Sequence, residues 1–269
     1  MFRYLQGARG DKVFRTATVS ALVLLALFFV VIIVSLVAYT DWRIIGSTLL
    51  SSETLFAIKL SLITATITTI LAIAIAIPVA YAISKNNFFG KSLVDSLLDL
   101  PIVVSPIAIG AALLVFSNTP LGTAINNNVI RFVFSVPGIV LAQFTIVSAL
   151  AVRLLKSTFD SIDIRYEQVA RTLGCSKPEA FFRVILPLAK NGLVASGILT
   201  WARATGEFGA TVTLAGATAM KTETLPISIF LNLASANTGQ AVALILILVV
   251  ISLAALLTIR VITDSRYGI

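Results

Sequence analysis

The sequence predicts an all-α integral membrane protein with six transmembrane helices in a single domain spanning residues 1–269. Three observations carry this. Hydrophobic residues make up 58% of the 269 residues and charged residues only 12%, about half the charged share of a soluble domain. A soluble core of this size cannot hide so much apolar surface, so lipid is the natural solvent. The apolar residues also fall into runs of about 20, the length a helix needs to cross about 30 Å of hydrocarbon. Finally, the basic residues gather on alternate connections, as positive-inside topology requires.

The elements follow in order. The first run, Thr18 to Tyr39, carries no charge. Its basic flank (Arg3, Arg9, Lys12, Arg15) resembles a signal-peptide n-region. The run is too long for the apolar part of such a signal, and no clear small-residue cleavage site follows, so it reads as a retained span. The second span covers 55–83, with Lys59 placed to snorkel at one end and Pro78 expected to kink the other. The third covers 98–116, with Pro101 in its first turn and Pro106 further in. The fourth covers 136–155, the fifth 191–215 and the sixth 240–261. Two further segments, Asn118 to Ser135 and Leu225 to Leu233, read as short outer helices or re-entrant caps.

With the N-terminus inside, Arg43, Lys59, Arg131 and Lys221 fall outside and Arg203 falls within a span. Every other Lys and Arg is cytoplasmic. An even number of spans then leaves both termini cytoplasmic in a multi-pass cell-membrane protein. The same distribution explains the net charge of +8 without nucleic acid as a partner. There is no histidine and one cysteine, Cys175. That excludes an internal disulfide, a His-based metal site and a Ser/His or Cys/His catalytic set, and no catalytic or metal residues are assigned. Cys175, beside Gly174 in a polar stretch, reads as a small turn residue rather than a reactive thiol.

The longest polar stretch is the cytoplasmic connection 156–190. Asp160, Ser161 and Asp163 are candidate N-caps for a helix through about Leu173, and Gly174 is placed to end it. Ser176-Lys177-Pro178-Glu179 reads as a capping box opening a second short helix to about Leu186, which Pro187 stops. The loop carries Ile164, Val169, Phe181, Phe182 and Val184. It either packs against the inner ends of the spans or offers a surface to a cytoplasmic partner.

Glu167 to Gly174 (EQVARTLG), followed by Ile185-Leu186-Pro187, resembles the EAA loop of ABC-importer permeases. Gln168, Val169 and Ala170 stand on the E-A-A register with Glu167 just before it, and Arg171 follows. The third letter, the glycine and the Leu-Pro ending match. Because Gln168 stands where a glutamate is usual, Glu167 or a neutral hydrogen bond would make the contact with the partner. Phe88 to Asp95 (FFGKSLVD), leading to Leu100-Pro101, resembles permeases for molybdate, tungstate and sulfate. Ala202 to Thr211 (ARATGEFGAT), with Lys221 to Pro226 (KTETLP), is most similar to the molybdate/tungstate branch.

The resemblance implies a type I ABC-importer-like permease whose loop forms cytoplasmic coupling helices. Glu167, Gln168, Val169, Ala170, Arg171, Gly174, Ser176 and Glu179 are the residues expected at the coupling surface. It further implies a second copy of the chain, two cytoplasmic ATP-binding subunits holding ATP and Mg, and an extracytoplasmic oxyanion-binding protein. The chain contains no G-x-x-x-x-G-K-[ST], so no cofactor is assigned to it.

Arg203 and Glu207 lie about a dozen residues into the fifth span, four apart, on one helix face. A lone mid-membrane charge costs roughly 3 kcal/mol. Gly206 and Gly209 weaken the helix there, and Ala202, Gly206 and Ala210 form a stripe that admits another helix. Two readings stay open. Arg203, Gly206, Glu207, Gly209 and Thr211 line the path or its gate, or Arg203 and Glu207 are a structural ion pair. The hydroxyls of Ser196, Thr200, Thr205, Thr211 and Thr213 could also offer donors to the path, but each is expected to bond back to its own helix. A secondary transporter and a membrane-embedded enzyme fit less well. No internal repeat is visible, and Glu207 is nearly alone as a mid-span acid. Molybdate or tungstate is the expected cargo, with sulfate or thiosulfate as the alternative.

Overall fold

The computed structural model describes residues 2–39 and 41–264, with side chains for 14–39 and 41–258. Arg3, Arg9, Lys12, Arg260 and Arg266, which entered the topology reading, lie outside the described side chains. The described residues form helices and connections. In order, they are α1 (Phe2–Tyr39), α2 (Trp42–Leu50), α3 (Ser52–Lys85), α4 (Lys91–Val103), α5 (Pro106–Ser117), α6 (Pro120–Asn128), α7 (Val136–Asp160), α8 (Arg165–Thr172) and α9 (Lys177–Ala180). A π-turn (Phe181–Ile185) follows, then α10 (Leu186–Leu188), α11 (Lys190–Thr205), α12 (Gly209–Ala215), α13 (Leu225–Ala234) and α14 (Thr238–Asp264).

Local chemistry starts most of these helices. Ser51, Ser105, Thr119, Ser135 and Ser176 each accept a hydrogen bond from the backbone of the first turn they precede. Four of those turns also carry a proline, where the missing N–H costs nothing. Asp41 caps α2 in the same way, a short helix that hydropathy does not reveal. The short segments 120–128 and 225–234 are helical.

α1, α3, α7 and α14 are long and apolar enough to span a membrane. The third and fifth expected spans are instead broken. α4 and α5 meet at 109° within the third, and a 70° bend between the segment Lys177–Leu188 and α11 lies just before the expected start of the fifth. The continuous third span is corrected because Pro106 disfavours helix at the residue before it. Ser105 is extended (ψ 141°), and its hydroxyl accepts from Ala108 N to start α5 afresh. The fifth expected span, 191–215, breaks after Thr205, so Arg203 and Glu207 do not lie on one continuous helix.

The centre is α3 against α7. Ala65, Ala72, Ala76 and Ala80 form a small-residue stripe on α3 that lets Val147, Ala151, Leu155 and Phe159 of α7 approach closely. Polar groups join a third helix. Thr68 donates to Gln143 Oε1 (3.0 Å), and Gln143 Nε2 donates to the carbonyl of Ala204 on α11 (3.1 Å). That carbonyl lies at the helix break, where it also accepts the Glu207 N–H at 3.1 Å. None of the apolar window of α1 is buried within the chain.

Candidate functional site

The polar connection 156–190 is ordered largely as the capping signals predict, with two corrections. α7 continues to Asp160, so Asp160 and Ser161 end that helix rather than start the next. Lys156 and Ser84 both bond the Asp160 carboxylate and favour the extension. Asp163 alone of the three candidate caps serves α8, accepting from Arg165 N at 2.9 Å. Pro187 does not stop the second helix. A π-turn with Leu186 N bonded to Phe181 O carries the chain past the proline to Leu188.

The turn between α8 and α9 is a Schellman motif. Gly174 takes φ +94°, its N–H donates to Arg171 O, and Cys175 N–H donates to Ala170 O, each at 3.1 Å. The capping box is complete. Ser176 Oγ accepts from Glu179 N, while the Ser176 N–H and hydroxyl donate to Glu179 Oε2 at 2.9 Å. These bonds, the backbone one foremost, hold the Glu179 carboxyl below the usual carboxylate range.

The two faces of α8 differ. Glu167 and Ala170 are buried. The Tyr81 hydroxyl donates to Glu167 Oε2 at 2.8 Å. Glu167 is therefore turned into the bundle, which corrects the expectation that it substitutes for Gln168 toward a partner. Gln168, Val169, Arg171 and Leu173 face outward, with Leu173 81% exposed. Tyr166, Val169, Leu173 and Val184 line an open, mostly apolar groove of about 590 Å³, edged by Asp163 and Arg165. Tyr81, Phe159 and Phe181 form an aromatic cluster with ring centroids 4.7–6.3 Å apart, and it fixes the loop to α3 and α7. Lys85 Nζ adds a bond to the Ile162 carbonyl at 2.7 Å.

Within the membrane region, Arg203 Nη1 pairs with Glu207 Oε2 at 2.7 Å. Glu207 is only 1% exposed, and its Oε1 accepts from Ala210 N at 3.0 Å, so it opens α12 as well as pairing the arginine. One carboxylate thus explains why the helix breaks after Thr205. Arg203 lines a chamber of about 280 Å³ with Pro101, Ile102, Val104, Pro106, Ile146 and Leu150. The chamber sits where the break between α4 and α5 meets α7 and α11.

The other expected path residues do not line it. Gly206 is exposed at the break, and Thr211 is buried on α12. Gly209 packs on the chamber wall, where an added Cβ would stand 3.0 Å from Pro106 and Ile107. The close approach attributed to an Ala202–Gly206–Ala210 stripe occurs instead between Gly110 of α5 and Ala210 of α12. Thr205 and Thr213 bond back to their own helices, as expected. Thr200 and Thr211 have buried hydroxyls without a partner among the described residues.

One cluster escaped sequence reasoning. Arg153 of α7 grips Asp95 and Asp99 of α4. The signal was present as two aspartates four apart just before Pro101, but the cation that meets them lies more than fifty positions later.

Residues 72–265 match the family described as the binding-protein-dependent transport system inner membrane component. Three curated relatives are informative. The molybdenum transport system permease protein ModB of Haemophilus influenzae is 38% identical, covering 65% of this chain and 77% of the relative. The molybdate/tungstate transport system permease protein WtpB of Pyrococcus abyssi is 30% identical, covering 78% and 80%. The sulfate transport system permease protein CysW of Synechococcus elongatus is 35% identical, covering 64% and 61%. Among solved structures, a bacterial ABC transporter involved in alginate import contains a chain with the same fold, at TM-score 0.77 and 14% identity, covering 98% of this chain and 99% of that one. A family match over most of the chain, on a fold of apolar spanning helices and an ordered polar loop, makes this chain a member of the binding-protein-dependent transport system inner membrane components, a multi-pass permease subunit and not an enzyme.

Proposed function

We propose that the chain forms the translocation pathway of an ATP-driven importer for a tetrahedral oxyanion, molybdate or tungstate. A second copy of the chain completes the pathway, two cytoplasmic ATPase subunits bind ATP and Mg, and an extracytoplasmic binding protein delivers the anion. Both termini are cytoplasmic, on the distribution of Lys and Arg. The observation that carries the reading is the outward face of α8. Val169 and Leu173 stand exposed over an open groove at the loop that resembles the EAA motif, and an exposed apolar patch on a rigid support is what a docking partner needs.

In this reading Gln168, Val169, Arg171 and Leu173 meet the ATPase. Glu167, Ala170, Gly174, Ser176 and Glu179 hold the surface in shape. Arg203 offers a cation beside the path, with its charge partly balanced by Glu207, so that an oxyanion passes without being trapped. Names of relatives at 30–38% identity support molybdate or tungstate. The sulfate permease at 35% identity favours sulfate as the second reading.

The test is uptake into liposomes carrying the assembled transporter, with molybdate, tungstate, sulfate and thiosulfate compared in turn. Val169→Asp/Leu173→Asp should abolish ATPase binding and uptake while leaving the permease folded, since both side chains are exposed. Unchanged ATPase binding would refute the docking surface.

A further inference from the structure

α4 is held by little burial. None of its thirteen residues is fully buried, and Leu93, Leu97 and Leu100 are exposed. The half-buried Leu98 packs on the core, and the polar attachment to α7 runs through Arg153. The guanidinium takes Asp95 Oδ1 at 3.0 Å, the Asp95 carbonyl at 3.0 Å, and both carboxylate oxygens of Asp99 through Nε and Nη2. Such a planar two-point grip sets orientation as well as distance, which a lysine cannot do.

The two ends of this linkage are the two functional regions. Arg153 lies six residues before Phe159, roughly 9 Å along the helix, and Phe159 is a buried ring of the aromatic cluster that anchors the coupling loop. At the other end, Pro101 and Ile102 of α4 and the break residues Val104 and Pro106 form one wall of the Arg203 chamber. Beyond the break, α5 is locked to α12, since a Cβ at Gly110 would stand 2.8 Å from the Ala210 backbone. Movement of α4 therefore turns on Val104 and Ser105 and changes the chamber wall.

We propose that Arg153 is the positioning residue that transmits movement of the coupling loop to the Arg203 chamber by holding α4 on α7. This rests on the importer reading above. A static brace would also hold α4, so the test must read transmission.

In the transporter assembled with its ATPase, and with Cys175→Ser removing the native thiol, Val104→Cys reports the chamber wall. Its rate of modification by a small thiol reagent is expected to differ roughly tenfold between the nucleotide-free and ATP–vanadate states, the range of ordinary coupling between sites. Arg153→Ala should abolish that difference and lower anion uptake per ATP hydrolysed, with hydrolysis itself retained. Arg153→Lys should fall between, and Asp95→Asn/Asp99→Asn should repeat Arg153→Ala. If Arg153→Ala does not assemble, the Asp95→Asn/Asp99→Asn pair carries the comparison with Arg153 in place. A nucleotide response that survives in these variants, or that is missing with Arg153 intact, overturns the proposal. Failure of the oxyanion reading looks different: no anion is taken up, while the nucleotide response of Val104→Cys persists.

Discussion

Tyr81, near the C-terminal end of α3, donates its hydroxyl to Glu167 of α8 across 2.8 Å, and Glu167 is only 6% exposed. The acidic residue of α8 thus faces the bundle and fastens α8 to a helix of the core. The outward face is left to Gln168, Val169 and Leu173.

Tyr81→Phe keeps the aromatic packing on Phe159 and Phe181 but leaves the Glu167 carboxylate short of a donor. An unsatisfied buried acceptor costs about 1–3 kcal/mol. The permease should melt at a lower temperature in detergent and bind its ATPase more weakly. Glu167→Gln should be milder, because an amide oxygen still accepts from Tyr81.

Gly174 takes φ +94°, and no atom lies within 4 Å of where its Cβ would stand. The cost of Gly174→Ala is therefore backbone strain alone, about 1–2 kcal/mol. Gly174→Asn should cost less, since asparagine tolerates this region. Thermal melting of the three proteins side by side checks the order.

Gly110→Ala and Gly206→Ala should separate cleanly. The first places a Cβ 2.8 Å from the backbone of Ala210 and should destabilise by about 1–3 kcal/mol through overpacking. The second meets nothing closer than 3.8 Å at φ −87° and should be tolerated. Yield and melting temperature read both.

Glu207→Ala removes the partner of Arg203 and the cap of Ala210 together. The arginine left behind is 39% exposed in its chamber, so the loss is nearer that of one unsatisfied buried group, about 1–3 kcal/mol, and this variant should accumulate less well in the membrane. Arg203→Ala/Glu207→Ala should recover part of the loss, because no unpaired charge remains. A double mutant no more stable than Glu207→Ala would show that capping, rather than the ion pair, dominates.

The loop was legible in detail because its signals are local. A Ser-x-x-Glu box and a glycine after a short helix act within five residues, and both formed as expected. The Pro187 stop failed for a reason equally local: a π-turn lets the helix pass a residue without an N–H. The broken spans were not legible, since hydropathy reads a run of apolar residues as one helix whether or not it bends. Pro106 marked the first break. The second falls at Gly206, where the sequence marked the helix as weak, and the Glu207 carboxylate then accepts from Ala210 N to start the next helix.

The sequence by itself determined that the chain lives in lipid, where its continuous spans α1, α3, α7 and α14 lie, and how its polar loop is capped and turned. These depend on apolar run length and on hydrogen bonds between near neighbours. Only the tertiary structure decided that Glu167 faces inward to Tyr81, that Arg153 grips α4, and that Arg203 opens into a chamber at the junction of two broken helices. Each of those outcomes depends on which distant helix arrives beside a polar side chain, because a charge held away from water takes the partner that packing brings to it.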